Sequence, residues 1–188
     1  MIFSDLYVRF YSQAFKFVDA QGPGELDRFF LAISDNVALR VLDLFMAKGL
    51  QGMAEYWGNI SREENCRGAG HTQDGVRYSH MLQCPSLGKV LNSDATPCQK
   101  YCLHCPGWVL PLMTRCGFYC VYDVIALDRP ECQSYITESR EKAEEAFQKL
   151  QAEGKTPDIL FSNLDRADEV DANQRRRHDL LAKTHSPK

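Results

Sequence analysis

The hydrophobic period of this chain changes from about 3.6 residues before residue 65 to 2 just after residue 75, and that switch limits its possible folds more than any other feature. In residues 2–20, Phe3, Leu6, Tyr7, Phe10, Ala14, Phe17 and Val18 recur at helical spacing, and Val8, Tyr11 and Phe15 widen the apolar face. Such a helix is expected to be largely buried or to pack on a partner. After the breaker Gln21-Gly22-Pro23-Gly24, a second helix carries Leu26, Phe29, Phe30, Ile33, Val37, Val41, Leu44 and Phe45, with Gly49 as its stop. A third runs through Leu50, Met53, Ala54, Trp57 and Ile60. Three helices in succession make a layer, and Met46 and Met53 read as core within it.

Glu63–Gly75 is polar and glycine-rich and reads as a loop. Val76, Tyr78, His80, Leu82 and Cys84 then alternate on one strand face, closed by Pro85. A short helix is expected over residues 86–91. The run from Cys116 to Leu127 reads as a long strand with Cys116, Phe118, Cys120, Tyr122 and Val124 on one side, and Asp128-Arg129-Pro130-Glu131 turns it into a hairpin partner, Cys132–Ile136. The expected class is α+β, an N-terminal helical layer packed on a small antiparallel sheet of three strands, with a cysteine-bearing helix between strands. Residues 1–153 form one domain: 1–65 the helical layer, 76–136 the strands and cysteine helix, 137–153 an amphipathic helix with Ala143, Ala146, Phe147 and Leu150 inward. Residues 154–188 are a charged extension with one apolar patch at Ile159–Phe161, expected to pack loosely or to serve at an interface.

The net charge of −3 gives no footprint for nucleic acid, and Arg175–Arg177 reads as a solvated helix face. No stretch approaches the ~18 apolar residues of a membrane span, and the start lacks the features of a signal peptide. A cytoplasmic location is therefore expected, where eight cysteines are thiols, ligands or redox groups more readily than disulfides. The apolar breadth of the first helix suits a homodimer as well as a covered monomer.

Thr96-Pro97-Cys98-Gln99-Lys100-Tyr101-Cys102-Leu103-His104-Cys105 holds the densest chemistry. Thr96 suits an N-cap, Pro97 the first helical position, and Pro106 a stop. On such a helix Cys98, Cys102 and Cys105 fall within roughly 60° of one another, a binding or reactive face. The helix N-terminus would favour thiolate at Cys98 first.

Several chemistries fit these residues. Zinc could be held by three of Cys98, Cys102, Cys105 and Cys84 with His104 or His80 as a nitrogen ligand, although a second clean cysteine pair is lacking. An iron–sulfur cluster could use the trio, completed by Cys84 or Cys116. The spacing C-x3-C-x2-C is also similar to the cluster motif of radical S-adenosylmethionine enzymes, which place it after the first strand of a βα barrel; here too little chain follows Cys105 for a barrel. A thiol enzyme would need a base beside its thiolate, and His104 is the better-placed partner for Cys84 if the cysteine helix packs across the end of the sheet. His80 lies ~13 Å from Cys84 along the strand, too far for a direct pair. Cys66, Cys116, Cys120 and Cys132 read as small core residues, Asp123 as a solvent-facing strand acid or a general base, and His71, His178 and His185 as surface residues.

The order of features from Tyr78 to Ile136 resembles the L-2-amino-thiazoline-4-carboxylic acid hydrolase family: a strand ending in Cys84-Pro85, a helix, a cysteine pair including Cys102, a long strand, then a turn and Cys132-x-x-x-Ile136. Tyr56-Trp57-Gly58 before the polar loop is similar as well, and the resemblance spans about residues 30–140. It implies a small-molecule enzyme hydrolysing a cyclic amidine or related C–N bond through a reactive cysteine, at positions matching Cys84 and Cys102. Cys105 departs from the family pattern and keeps a metal at the site in play. The competing class is a non-catalytic metal or cluster-binding protein, a sensor or carrier.

Overall fold

The structure, a computed structural model, describes residues 3–93 and 96–184. It is α+β: helices come first, then a five-stranded antiparallel sheet with helices on both faces. The helical layer is α1 (Phe3–Asp19) and α2 (Glu25–Glu63). The expected second and third helices are the two halves of α2, joined at Gly49, where φ 55° and ψ −134° are open to glycine and costly for other residues. The first helix is less buried than its pattern suggests. Phe15 is enclosed, but Leu6, Tyr7, Phe10 and Phe17 are each more than half exposed.

The sheet is formed by β1 (Arg67–Gln73), β2 (Val76–Gln83), β3 (Tyr119–Asp123), β4 (Cys132–Thr137) and β5 (Leu160–Ser162), in the order β1-β2-β4-β3-β5. The expected loop at residues 63–75 is in fact half a hairpin. Asp74 and Gly75, at φ 51° and 73°, form the tight turn that puts Gly70 opposite Ser79. The pattern concealed β1 because all seven of its residues are exposed and so show no alternation. The expected long strand is cut short at both ends. Cys116 closes the preceding helix, and Gly117 (φ 73°) caps it in the left-handed conformation. Beyond Asp123, Ile125 at φ 65° ends the ladder.

Between β2 and β3 in the chain lie α3 (Pro85–Leu91) and α4 (His104–Cys116), the latter entered through a 3-10 turn at Tyr101–Leu103. The cysteine helix thus begins where the sequence had it end. Cys98 is held outside any helix because its N–H donates to Ser12 Oγ (3.0 Å), and Lys100 pairs with Asp19 of α1 (2.7 Å). Pro106 falls in the first turn of α4, where its missing N–H costs nothing.

One sheet face packs on α2 and α4 through Phe45, Met53, Leu112, Met113, Phe118, Cys120 and Ile136. The other is covered by α5 (Arg140–Ala152) and α6 (Ala167–Thr184), with Tyr119, Val121, Ala143, Leu150 and Val170 enclosed. The charged C-terminal segment is therefore packed, not loose. Asn173 donates to the Thr114 carbonyl (3.0 Å), Gln174 to that of Glu138 (2.9 Å), and Arg177 is buried. Among the described residues no helix is long and apolar enough to cross a membrane.

Candidate functional site

The chemistry-bearing residues gather where the start of α4 meets the sheet. Phe15 of α1 packs edge-on to Phe30 and lies 5.6 Å, centroid to centroid, from His104. This holds the His104 ring at the first residue of α4. His104 Nδ1 hydrogen-bonds the Tyr101 carbonyl, which can only accept, so Nδ1 carries the proton and Nε2 presents a lone pair. That lone pair lies 3.4 Å from Cys105 Sγ. The result is a thiol, a base and a group that orients the base, the pattern of an activated nucleophile.

Cys105 also meets Tyr122 of β3, whose hydroxyl lies 3.4 Å from Cys132 Sγ. Around this group is a cavity of about 20 Å³, bordered by Cys84, Cys102, Cys105, Cys132, His104 and Tyr122. Burial pushes the Cys105 thiol up to about 11, opposed by the Tyr122 hydrogen bond. Cys132 is pushed up to about 12 by burial and by its neighbour Cys105. Burial also raises Cys84 and Cys102. His104 is lowered by burial, partly opposed by its bond to Tyr101. The resting site is therefore a neutral thiol beside a neutral imidazole.

Cys105, Tyr122 and Cys132 border a second, much larger cavity of about 550 Å³ as well. Its floor is the β1-β2-β4 face, with Arg77, Ser79, Met81 and Ser134; its walls are Trp57 and Ile60 of α2 and Trp108 of α4. The Gly49 break lets the second half of α2 lean over the sheet and set Trp57 there. This volume lies within the ~300–1,000 Å³ of small-molecule sites.

The sequence-predicted residues divide. Cys102, Cys105 and His104 come together with Cys84 around the small cavity, but Cys98 is in another cluster, under α1 with Phe15, Tyr101 and Val90. The trio therefore shares no face. Among the described residues no group of three or more His, Cys, Asp or Glu side chains could hold a metal ion such as zinc. All eight cysteines are free. Cys84 caps α3, its sulfur accepting from Leu87 N–H at 3.5 Å. His80 pairs with Glu131 at 2.9 Å and not with a thiol.

Cys116 and Cys120 are core, as expected. Asp123 is not solvent-facing: it is fully buried, paired with Lys155 (3.0 Å) and accepting from Ile125 N–H and Gln133 Nε2. His178 is exposed, whereas His185 lies outside the described residues. Sequence reasoning missed Cys105 as a nucleophile, Tyr122 as its hydroxyl partner and Arg77. The adjacent pair His104-Cys105 was the signal for the first of these. Nothing in the alternation marked the other two.

Fold and site together define an α+β protein with a ligand-sized cavity between sheet and helices, bordered by Cys105, the thiol of a thiol–imidazole pair. Compared with family models, curated proteins and solved structures, the chain matches none.

Proposed function

We propose that this protein is a thiol-dependent enzyme that hydrolyses a C–N bond in a small cyclic amidine or a related molecule. The observation that carries the reading is the 3.4 Å contact between an unprotonated His104 Nε2 and the Sγ of Cys105, a residue that also borders the large cavity. The resemblance to the aminothiazoline carboxylate hydrolases supports the reaction class. The geometry favours Cys105 over Cys84 or Cys102 as the attacking group, because it borders the large cavity and has a base.

The chemistry balances with these groups. Cys105 gives its proton to His104 Nε2 and its thiolate adds to the amidine carbon. The C=N electron pair moves onto nitrogen, which takes the proton from His104. The adduct collapses with cleavage of one C–N bond: as C=N re-forms, His104 takes back the proton held on that nitrogen and delivers it to the departing amine, which leaves a thioimidate on Cys105. Water, deprotonated by His104, adds to that carbon; the Cys105–carbon bond breaks, the thiolate recovers its proton, and an amide remains. One water is consumed and one C–N bond is broken.

Free thiols throughout suit a reducing compartment such as the cytoplasm. The exposed Leu6, Phe10 and Phe17 suit a second copy of the chain as a neighbour. The rival reading, a metal or cluster carrier, lacks a ligand set among the described residues.

The test uses L-2-amino-thiazoline-4-carboxylate and simple cyclic amidines as substrates. Turnover that is lost in Cys105→Ser and His104→Gln but kept in Cys84→Ser and Cys102→Ser supports the proposal. Undiminished turnover in Cys105→Ser ends it.

A further inference from the structure

Arg77 is 7% exposed, and its Nε has no hydrogen-bond partner. Among the described residues no carboxylate pairs with it. Holding a largely buried guanidinium without a counter-charge carries a desolvation cost. Burial here pulls its pKa down from the usual arginine value, the sign of that same cost. Residues of this kind persist where a ligand supplies the missing charge.

The surroundings of Arg77 are those of a seat for an anion. It opens into the large cavity from the middle of its floor. On β1, Gly70 presents no side chain over it: a Cβ there would lie 3.5 Å from both Arg77 Nη2 and Ser79 Oγ. Ser79 faces Ser134 across the β2–β4 ladder, on the same cavity-lining face. No hydrogen bond among the described residues engages either hydroxyl. A planar oxyanion on Arg77 would thus find a forked donor and two hydroxyls at one place. The opposite walls are the indoles of Trp57 and Trp108, flat surfaces suited to a ring.

We propose that the large cavity takes a planar organic acid, its carboxylate on Arg77 and its ring system between Trp57 and Trp108, with a second ring or equivalent apolar arm to fill the volume. This rests on the reading of the cavity as the substrate site and names the substrate class. A bare five-membered ring would leave most of about 550 Å³ to water.

The experiment is calorimetric titration of the full chain with naphthalene-2-carboxylate, naphthalene-2-carboxamide and benzoate. The expected order is naphthoate tightest, with benzoate and the carboxamide each about tenfold weaker or more, since each lacks either the second ring or the charge. In Arg77→Met the preference for acid over amide disappears while the amide binds as before, which shows the cavity intact; Arg77→Lys keeps part of it. Equal binding of acid and amide, an undiminished preference in Arg77→Met, or no binding of any of the three would overturn the proposal. Because binding is read without turnover, Cys105→Ser is titrated alongside. Binding unchanged there but no thiol-dependent hydrolysis anywhere removes the catalytic reading and leaves this one. Cys105-dependent hydrolysis of neutral amidines without acid binding removes this one alone.

Discussion

Arg177 Nη1 lies 3.0 Å from the point that a Cβ on Gly49 would occupy, so the break in the longest helix and the last helix of the chain are fitted to each other. Phe118 completes the joint, with the Arg177 guanidinium 4.2 Å above its ring centroid and Glu138 closing the charge. Gly49→Ala puts a side chain into a conformation that disfavours one and presses it on Arg177. The expected loss is about 2 kcal/mol, read from chemical denaturation. A loss below a few tenths would mean that the break relaxes freely.

Cys105 and Cys132 should behave as thiols of low acidity. With Cys105 pushed up to about 11 against an ordinary 9.0, its alkylation by iodoacetamide should rise nearly tenfold between pH 9 and 10, where an ordinary thiol gains roughly twofold. Peptide mass spectrometry separates it from the other seven. A plateau near pH 8 would contradict the burial described for this site.

Tyr122 lowers the Cys105 pKa through its hydroxyl, so Tyr122→Phe should raise it further and slow labelling at pH 9 several-fold. The fold should lose only about 1 kcal/mol, the worth of a hydrogen bond to a weak partner. Faster labelling in the variant would reverse the assigned role.

Asp123 is a structural acid. Asp123→Ala would strand the Lys155 ammonium, the Ile125 N–H and the Gln133 amide together, at an expected cost of about 3 kcal/mol in thermal or urea unfolding. Adding Lys155→Met should recover part of it, and no recovery would mean that the two do not act as a pair.

Glu138 gives the fold an acid-sensitive latch. Burial pushes its carboxyl up, but the hydrogen bond and charge of Arg177, with His178 beside it, bring it below the ordinary carboxylate value. A lowered folded pKa contributes stability above the unfolded pKa and loses it as pH falls through the folded one. Glu138→Gln should therefore be less stable at neutral pH, and its stability should converge on that of the parent at the acid end of a pH series. Parallel curves would remove Glu138 from the account.

The helical layer and β2 were legible because each buries one stripe against a core, and that leaves a period in the sequence. β1 left none: Arg67–Gln73 is exposed throughout and holds its place by backbone ladder and the Asp74-Gly75 turn. The cysteine segment misled for a related reason. Thr96-Pro97 is a good helix start, but Ser12 and Asp19, far back in the chain, claim Cys98 and Lys100 first. The gathering of His104, Cys105 and Cys102 near Cys84 was within reach of spacing arguments. Arg77 was not, since a lone arginine on an alternating strand reads as solvent-facing until its neighbours turn out to be glycines and a tryptophan-walled cavity.

The bonds from Ser12 and Asp19 to the segment before α4, with Phe15 against His104, make the first helix a strap over the imidazole. Contacts made at Ser12, Phe15 and Asp19 therefore bear on the setting of an imidazole about ninety positions further along the chain. Loosening that strap at Ser12 or Phe15 would be expected to show first in the reactivity of the Cys105 thiol.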